Sequence, residues 1–182
     1  MRPILIAALL AALTVPAAVF AADPPGQDRE NAARACSTLR TAMGVTLFRL
    51  TYGTAASNRR NAFGKCVSQW TRTERQNRVS AQSACEAERN DPNFAATHGG
   101  KTFAQFYGTG KKGANAFGRC VSSKAKTASA EDRRDTLNAA RKCKAERQRL
   151  GVPAFRAEYG RNANDRNAFG KCVSKLANEQ NN

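Results

Sequence analysis

An eight-residue segment occurs three times in this chain, and only one of its positions varies, between lysine and arginine. The segment reads Asn-Ala-Phe-Gly-Lys/Arg-Cys-Val-Ser and covers residues 61–68, 115–122 and 167–174. Recurrence of such a specific segment is typical of a repeat protein, in which each copy forms one supersecondary unit that packs on its neighbours. Each copy contains one cysteine, and each of the other three cysteines lies upstream of one copy. The six cysteines therefore divide into two per repeat.

The N-terminal segment has the pattern of a secretory signal peptide. Arg2 precedes a nearly unbroken apolar run from Ile4 to Val15, and Val19 and Ala21 are small residues at the −3 and −1 positions of a cleavage site. An uncleaved membrane anchor is the alternative, but the apolar run is shorter than the ~20 residues that a spanning helix needs. We expect residues 1–21 to be removed and the mature chain to be secreted, extracellular or associated with the cell envelope, without a transmembrane segment.

The even number of cysteines in an exported chain predicts a disulfide framework. A metal site is disfavoured, because the chain has no Cys-x-x-Cys pair and His98 is its only histidine. We therefore expect no metal and no cofactor. Pairing across the connectors would leave the first and last cysteines to join different repeats, whereas pairing within repeats uses all six. The predicted disulfides are Cys36–Cys66, Cys85–Cys120 and Cys143–Cys172.

The residues within each repeat predict helices. Apolar residues of the octapeptide region fall at i, i+3, i+4 and i+7, the spacing of one helix face. These residues are Phe169, Cys172, Val173 and Leu176 in the third copy and Phe63, Cys66, Val67 and Trp70 in the first. The glycines of the upstream Tyr-Gly pairs are expected as left-handed helix C-caps, and they are Gly53, Gly108 and Gly160. Pro92 and Pro153 predict a helix break in copies two and three, and the glycine after each octapeptide phenylalanine predicts close approach of another backbone.

Together these patterns predict an all-α protein of three tandem disulfide-stapled helical repeats joined by polar helical connectors. The connectors contain neither proline nor glycine, and their composition favours helix over strand. The expected division of the mature chain is a flexible leader at 22–35, repeat 1 at 36–70, a connector at 71–84, repeat 2 at 85–124, a connector at 125–142, repeat 3 at 143–176 and a tail at 177–182.

The succession of Cys-x-x-Glu-Arg, Tyr-Gly and Asn-Ala-Phe-Gly-Lys-Cys-Val resembles that of secreted bacterial repeat proteins of uncharacterised function. The resemblance extends over nearly all of the mature chain. The first copy departs from the pattern, because Leu39 stands where the glutamate is found in the other two. The resemblance implies export and a repeated architecture, and it brings with it no activity, cofactor or catalytic residue.

The mature chain is strongly basic. Removal of residues 1–21 takes away one of the 30 Lys and Arg residues, Arg2, and none of the 14 Asp and Glu residues, so the net charge falls by one unit from +16. Such a charge exceeds the magnitude of about 2–8 usual for small soluble domains, and it favours anionic partners such as wall polymers, acidic glycans or nucleic acid. The polar loop before each octapeptide carries two basic residues, and three such loops could engage a polymer multivalently. The predicted contacts are Arg59, Arg60, Lys111, Lys112, Arg161 and Arg166.

The sequence offers few groups for catalysis, so we predict a non-catalytic binding protein. A small hydrolase that uses His98 with Glu88 is one alternative, which a single imidazole supports poorly. Glu88 and Glu146 are better explained as partners in structural ion pairs or as residues of an exposed helix face. The other alternative is a protein–protein adaptor or structural protein whose basic charge serves only solubility.

The cleavage pattern leads to a first prediction. The exported protein should begin at Ala22, and N-terminal sequencing or intact-mass measurement of the protein recovered outside the bacterial cytoplasm tests this. An Ala21→Arg variant, which places a large charged side chain at the −1 position, should remain unprocessed. Recovery of exported protein that still contains Arg2 would contradict the prediction.

Overall fold

The computed structural model describes residues 25–54, 58–110, 112–160 and 165–179, and over these residues the protein is all-α. Its helices, in chain order, are α1 (Pro25–Met43), α2 (Val45–Tyr52), α3 (Ala62–Asn90), α4 (Phe94–Thr97), α5 (Phe103–Tyr107), α6 (Ala116–Leu150), α7 (Val152–Tyr159) and α8 (Ala168–Asn178). None of the helices in these ranges is long and apolar enough to cross a membrane.

Two long helices connect the three disulfides along the chain. α3 begins in the first octapeptide and continues past Cys85, and α6 begins in the second octapeptide and continues past Cys143. Residues 71–84 and 125–142 are therefore helical throughout, as their composition predicted. α3 packs along α1 and α6, and α6 also packs on α8. Each long helix thus carries one cysteine from each of two disulfides.

Three apolar clusters, each built around one disulfide, form the core. The disulfides are Cys36–Cys66, Cys85–Cys120 and Cys143–Cys172, the pairings expected from the sequence. Phe48 in the first cluster and Phe155 in the third are buried and pack against the tyrosine of the nearby Tyr-Gly pair. Met43 packs against both of these clusters, so the cores of repeats 1 and 3 adjoin.

The tyrosine of the Tyr-Gly pair has different polar partners in repeats 1 and 2. In repeat 1 the buried Trp70 indole N–H donates to the Tyr52 hydroxyl oxygen at 3.1 Å. In repeat 2 the Tyr107 hydroxyl donates to the Glu88 carboxylate at 2.7 Å. Lys124, which occupies the position of Trp70, pairs with the same carboxylate at 2.8 Å. Because a tyrosine hydroxyl can either donate or accept, the same position accommodates an apolar or a charged neighbourhood.

Residues 25–35 are helical, which corrects the expectation of a flexible leader over residues 22–35, of which residues 22–24 lie outside the described residues. α1 covers most of this range, and the buried Asp28 in its first turn accepts two hydrogen bonds from Arg78 of α3, at 3.0 and 3.2 Å. A carboxylate near a helix N-terminus is also favoured by the helix dipole. Ala32 and Ala35 then pack in the first apolar cluster. The segment is ordered because α3 supplies both a cation and an apolar surface for it.

The helix break upstream of Tyr-Gly occurs in all three repeats, although the prolines predicted it only in copies two and three. Gly44, with φ 74°, separates α1 from α2, and Gly151, with φ 75°, separates α6 from α7. Glycine adopts this left-handed conformation at little steric cost. Pro153 lies in the first turn of α7, where proline is tolerated. In repeats 1 and 3 the kink is therefore produced by a glycine at an equivalent position.

The glycines of the Tyr-Gly pairs are extended, which corrects the expectation of left-handed C-caps. Their φ values are −76° at Gly53, −77° at Gly108 and −66° at Gly160. The left-handed residue instead lies two positions before each octapeptide, at Arg59 (φ 52°), Gly113 (φ 55°) and Asp165 (φ 49°). That residue packs directly over the glycine, where an added Cβ atom would collide with it and with a carbonyl oxygen of the preceding helix. Glycine is required at these three positions because neighbouring atoms leave no room for a Cβ atom, and not because its φ is positive.

The octapeptide asparagine closes the same loop. In repeat 1 the Asn61 side chain accepts a hydrogen bond from the Thr54 backbone N–H at 3.0 Å and donates to the Thr54 hydroxyl at 2.7 Å. Asn115 makes the same two bonds to Thr109 in repeat 2, at 2.9 and 2.7 Å. Neither asparagine side chain caps the helix that follows. The side chain therefore fixes the loop against the start of that helix.

The octapeptide phenylalanine differs in burial between repeats 1 and 3. Phe169 is buried, and Leu47 and Leu50 of α2 pack against its cluster. Phe63 is 38% exposed, although it shares its helix face with the buried Cys66 and Trp70. The alanine that precedes the octapeptide phenylalanine is buried in all three copies. Phe169 gains its cover from another repeat, which a single-helix pattern does not reveal.

The octapeptide glycine shows the same asymmetry. A Cβ atom added at Gly170 would lie 2.6 Å from the Thr51 carbonyl oxygen of α2. Gly64 and Gly118, at the equivalent positions, face open space. Close approach of another backbone therefore explains the glycine in repeat 3 and does not explain it in repeats 1 and 2.

This difference provides a matched pair of variants. Gly64→Ala should raise the free energy of unfolding by roughly 0.5–1 kcal/mol, because alanine is the better helix former and nothing opposes its Cβ atom. Gly170→Ala should lower it by at least about 1 kcal/mol, because α2 must move away. Urea unfolding of the oxidised protein measures both values. Equal responses of the two variants would contradict the contact between α2 and α8.

Candidate functional site

The basic loops of repeats 1 and 3 meet at one surface. Arg59 in the first loop donates from Nη2 to the backbone carbonyl of Arg166 in the third, at 2.7 Å. Burial, and then the positive charges of three other arginines, lower the pKa of Arg59. The positive charges of one arginine in α6, one in α7 and one in the third loop therefore lie near enough to the Arg59 guanidinium group to act on it. We call this set the arginine cluster, and its members are Arg59, Arg147, Arg156 and Arg166.

Arg59 differs from the other members because its guanidinium group holds the backbone. Besides its bond to repeat 3, Nη1 donates to the carbonyl oxygens of Leu50 at 3.0 Å and Gly53 at 3.3 Å. The side chain is half-buried, and the left-handed backbone at this residue costs a non-glycine residue about 1–2 kcal/mol. These three hydrogen bonds stabilise that conformation. Arg156 and Arg166, which are exposed, carry the outward-facing charge of the cluster together with the half-buried Arg147.

The structure brings two of the three predicted basic loops together. Two of the six predicted contacts are members of the arginine cluster, and Arg60 is exposed in the same loop as Arg59. Lys112 is exposed in the loop of repeat 2, whose apolar cluster is separate from the other two. Lys111 and Arg161 lie outside the described residues.

Two members of the cluster were missed in the sequence. Arg147 belongs to the Cys-x-x-Glu-Arg motif, which predicted a structural ion pair, and Arg156 lies in the last turn of α7. Both are on helices, whereas the sequence interpretation considered only loops. Their proximity to Arg59 depends on how repeats 1 and 3 pack, and no local pattern carries that information.

A groove of about 490 Å³ opens between the α1–α2 kink and the α6–α7 kink, and we call it the kink groove. Both kink glycines line it, and so do Lys144 and Arg147 of α6. The apolar residues that line it are Met43, Val45, Leu47, Leu50, Val152 and Phe169. Val45 and Val152 are 43% and 37% exposed. Since Arg147 belongs to both features, the apolar groove and the arginine cluster are contiguous.

A second groove, of about 450 Å³, lies between α1, α3 and α6 and contains a polar network. The buried Glu74 accepts a hydrogen bond from the hydroxyl of the buried Ser129 at 2.7 Å and lies 4.0 Å from Arg133. Asn77 donates to the Ser129 hydroxyl oxygen at 3.3 Å and to Asp132 at 2.8 Å. Desolvation by burial raises the pKa of Glu74, although Ser129 and Arg133 act in the opposite direction. With the serine hydroxyl committed to a carboxylate and shielded from solvent, the network joins α3 to α6 and does not present a nucleophile.

The residues considered for hydrolysis are held in structural contacts. The His98 ring stacks on Phe94 with centroids 3.7 Å apart, and its Nδ1 atom lies 2.9 Å from the Phe94 carbonyl oxygen. Burial alone would raise the pKa of Glu88, but hydrogen bonds from Lys124 and Tyr107 outweigh it and lower that pKa. Burial and the adjacent Glu88 raise the pKa of Tyr107 to about 12. A carboxylate of lowered pKa is a weak general base, and Glu88 acts here as an ion-pair partner.

Within the described ranges, no group of three or more His, Cys, Asp or Glu side chains is arranged to hold a metal ion. Comparison with protein-family models, with curated proteins and with solved structures gives no match.

The buried carboxylate of the polar network leads to a prediction about pH. The pKa of Glu74 is raised in the folded protein. At a pH above that pKa Glu74 is ionised, and its buried charge lowers the stability of the folded state relative to the unfolded state. Glu74→Gln keeps an acceptor for Ser129 and removes this penalty, so it should raise the free energy of unfolding at neutral pH by on the order of 1 kcal/mol, about 2–4 °C in Tm. The gain should shrink as the pH falls through the raised pKa towards the unfolded-state value.

Thermal unfolding of wild type and variant between neutral and acidic pH measures this difference. Glu131→Gln on the exposed surface of α6 is the matched control, and it should change stability little at any pH. A loss of stability in Glu74→Gln at neutral pH would mean that attraction to Arg133 outweighs the burial of the charge.

Proposed function

We propose that the chain is an exported, non-catalytic protein that binds anionic polymers, with the arginine cluster as its main contact. The observation that carries the proposal is that Arg59 of repeat 1 bonds to the loop of repeat 3 and lies under the influence of three further arginine charges. Guanidinium groups bind phosphate and carboxylate through paired, charge-assisted hydrogen bonds. Holding these positive charges together is unfavourable in the free protein, and a polyanion relieves the repulsion when it binds.

A polymer suits this surface better than a small ion does. Arg60 is exposed beside the cluster, and Lys112 presents further positive charge from the loop of repeat 2. A chain of regularly spaced anionic groups can contact several of these sites at once, and each further contact is then intramolecular. Wall polymers, acidic glycans and nucleic acid all have this character.

Two lines of support favour a location outside the cytoplasm. The N-terminal residues have the pattern of a signal peptide, and three disulfides are typical of proteins from oxidising compartments. We therefore propose that the mature protein acts as a secreted or envelope-associated protein.

A protein–protein adaptor is the second candidate, and the exposure of large apolar side chains favours it. Phe106 is 46% exposed and Val45 is 43% exposed. An adaptor of this kind would bind through an apolar surface and would tolerate salt. Binding to a polyanion instead weakens steeply with salt, because bound cations are released from the polymer.

Salt-dependent binding therefore tests the proposed function. The probes are heparin, polyphosphate and single-stranded DNA, titrated over a range of sodium chloride concentrations. The triple variant Arg147→Gln/Arg156→Gln/Arg166→Gln should bind more weakly than wild type, and its slope of log K against log salt should be smaller by about 2–3. Arg59 is left intact because it holds the loop.

A control of equal charge separates the cluster from net charge. The variant Arg72→Gln/Arg75→Gln/Arg134→Gln removes three exposed arginines from α3 and α6, outside the cluster. It should retain most of the wild-type affinity. Equal weakening of the two triple variants would show that only net charge matters, and an absence of binding at low salt would rule out the proposed function.

A further inference from the structure

The kink groove has the dimensions and lining of a ligand site. Its volume of about 490 Å³ lies within the range of ~300–1,000 Å³ usual for small-molecule pockets. Because the kink glycines Gly44 and Gly151 have no side chains, the space beside them is open. Six apolar side chains form half of the wall, beside the polar Thr46 and Gln148 and two cations. Two of the apolar residues, Val45 and Val152, are left partly exposed to water. Covering this wall with an alkyl chain would remove apolar surface from water.

The charged residues that line the groove determine which kind of molecule it could bind. Its two charged lining residues, Lys144 and Arg147, are both cationic, and no acidic residue is among those that line it. Arg147 also interacts with Arg59 and so continues the positive surface towards the arginine cluster. An uncharged chain would leave these cations unpaired, and a cationic amphiphile would be repelled.

We propose that the kink groove binds the alkyl chain of a single-chain anionic amphiphile, whose carboxylate or phosphate head group pairs with Lys144 and Arg147. This proposal goes beyond the proposed function and does not depend on polymer binding, although Arg147 belongs both to the kink groove and to the arginine cluster. A single chain fits better than a bilayer surface, because the groove is a concave space between two kinks and not a convex apolar face. The ligand is therefore a monomeric amphiphile taken up from solution.

Calorimetric titration with monomeric fatty acids tests the proposal. The probes are octanoate, decanoate and laurate, each below its micellar concentration, with acetate and an alkyl glucoside of matched chain length as controls. Affinity should increase several-fold with each lengthening of the chain, because each buried methylene adds hydrophobic free energy. Acetate should not bind measurably, and laurate should bind at least tenfold more tightly than the neutral glucoside.

Variants locate the site. Val45→Gln/Val152→Gln changes two partly exposed residues of the groove and should lower laurate affinity at least tenfold while the protein stays folded by circular dichroism. Val79→Gln changes a residue of α3 that is 50% exposed and outside the groove, and it should leave the affinity unchanged. Lys144→Gln should reduce binding of laurate and leave binding of the glucoside unaffected.

The outcomes distinguish this proposal from the proposed function. Binding of heparin without chain-length dependence for the fatty acids would overturn the amphiphile site and leave the polyanion function standing. Absence of heparin binding and of fatty-acid binding would overturn both the polyanion function and the amphiphile site. Equal affinity for laurate and the glucoside would also overturn the amphiphile site, because the anionic head group would then have no role. Concentration-dependent dimerisation that Val45→Gln/Val152→Gln abolishes, without fatty-acid binding, would assign the groove to a second copy of the chain instead.

Discussion

Each disulfide joins the helix in which a repeat begins to the helix in which it ends, and the remaining packing depends on that connection. α3 carries Cys66 near its start and Cys85 near its end, and α6 carries Cys120 and Cys143 in the same way. Polar helices of this kind depend on tertiary contacts for stability, and units of this size bury little apolar surface alone. Closing loops of about 30 residues contributes roughly 3–4 kcal/mol each in the chain-entropy model. The covalent bonds thus hold small apolar clusters together, and long polar helices can run between them.

The features that could be predicted from the sequence are those that depend on counting and on local composition. The cysteine pairing followed from the two cysteines of each repeat, and the continuous helices followed from connectors without proline or glycine. The left-handed backbone at Arg59 and Asp165 could not be predicted, because non-glycine residues adopt it only where their neighbours stabilise it. The helical leader depends on Asp28 meeting Arg78, and the arginine cluster depends on repeat 1 meeting repeat 3. Such contacts between distant segments leave no periodic trace in a single sequence.

Nearly identical octapeptides have different surroundings in this protein, so the three repeats differ in packing. Repeats 1 and 3 pack together, which buries Phe169, requires a glycine at Gly170 and creates the kink groove between their two kinks. Repeat 2 has its own apolar cluster, which contains the buried Phe94, and the His98 ring stacks on that phenylalanine. The motif therefore specifies the internal structure of a unit, while the residues around it decide which unit faces which.

Because uninterrupted helices connect the disulfides, the number of residues in each connector sets how far one repeat is rotated relative to the next. An α-helix advances one turn in 3.6 residues, so a single residue inserted into a connector would rotate everything beyond it by about 100°. The bonds that cross between α3 and α6 near the middle of the connectors, from Ser129 to Glu74 and from Asn77 to Asp132, would lose their alignment. All three disulfides would still form, because each pair would keep its own loop. Yet Arg59 and Arg166 would point in different directions, so a chain with every motif and every covalent bond intact would no longer assemble its cationic surface.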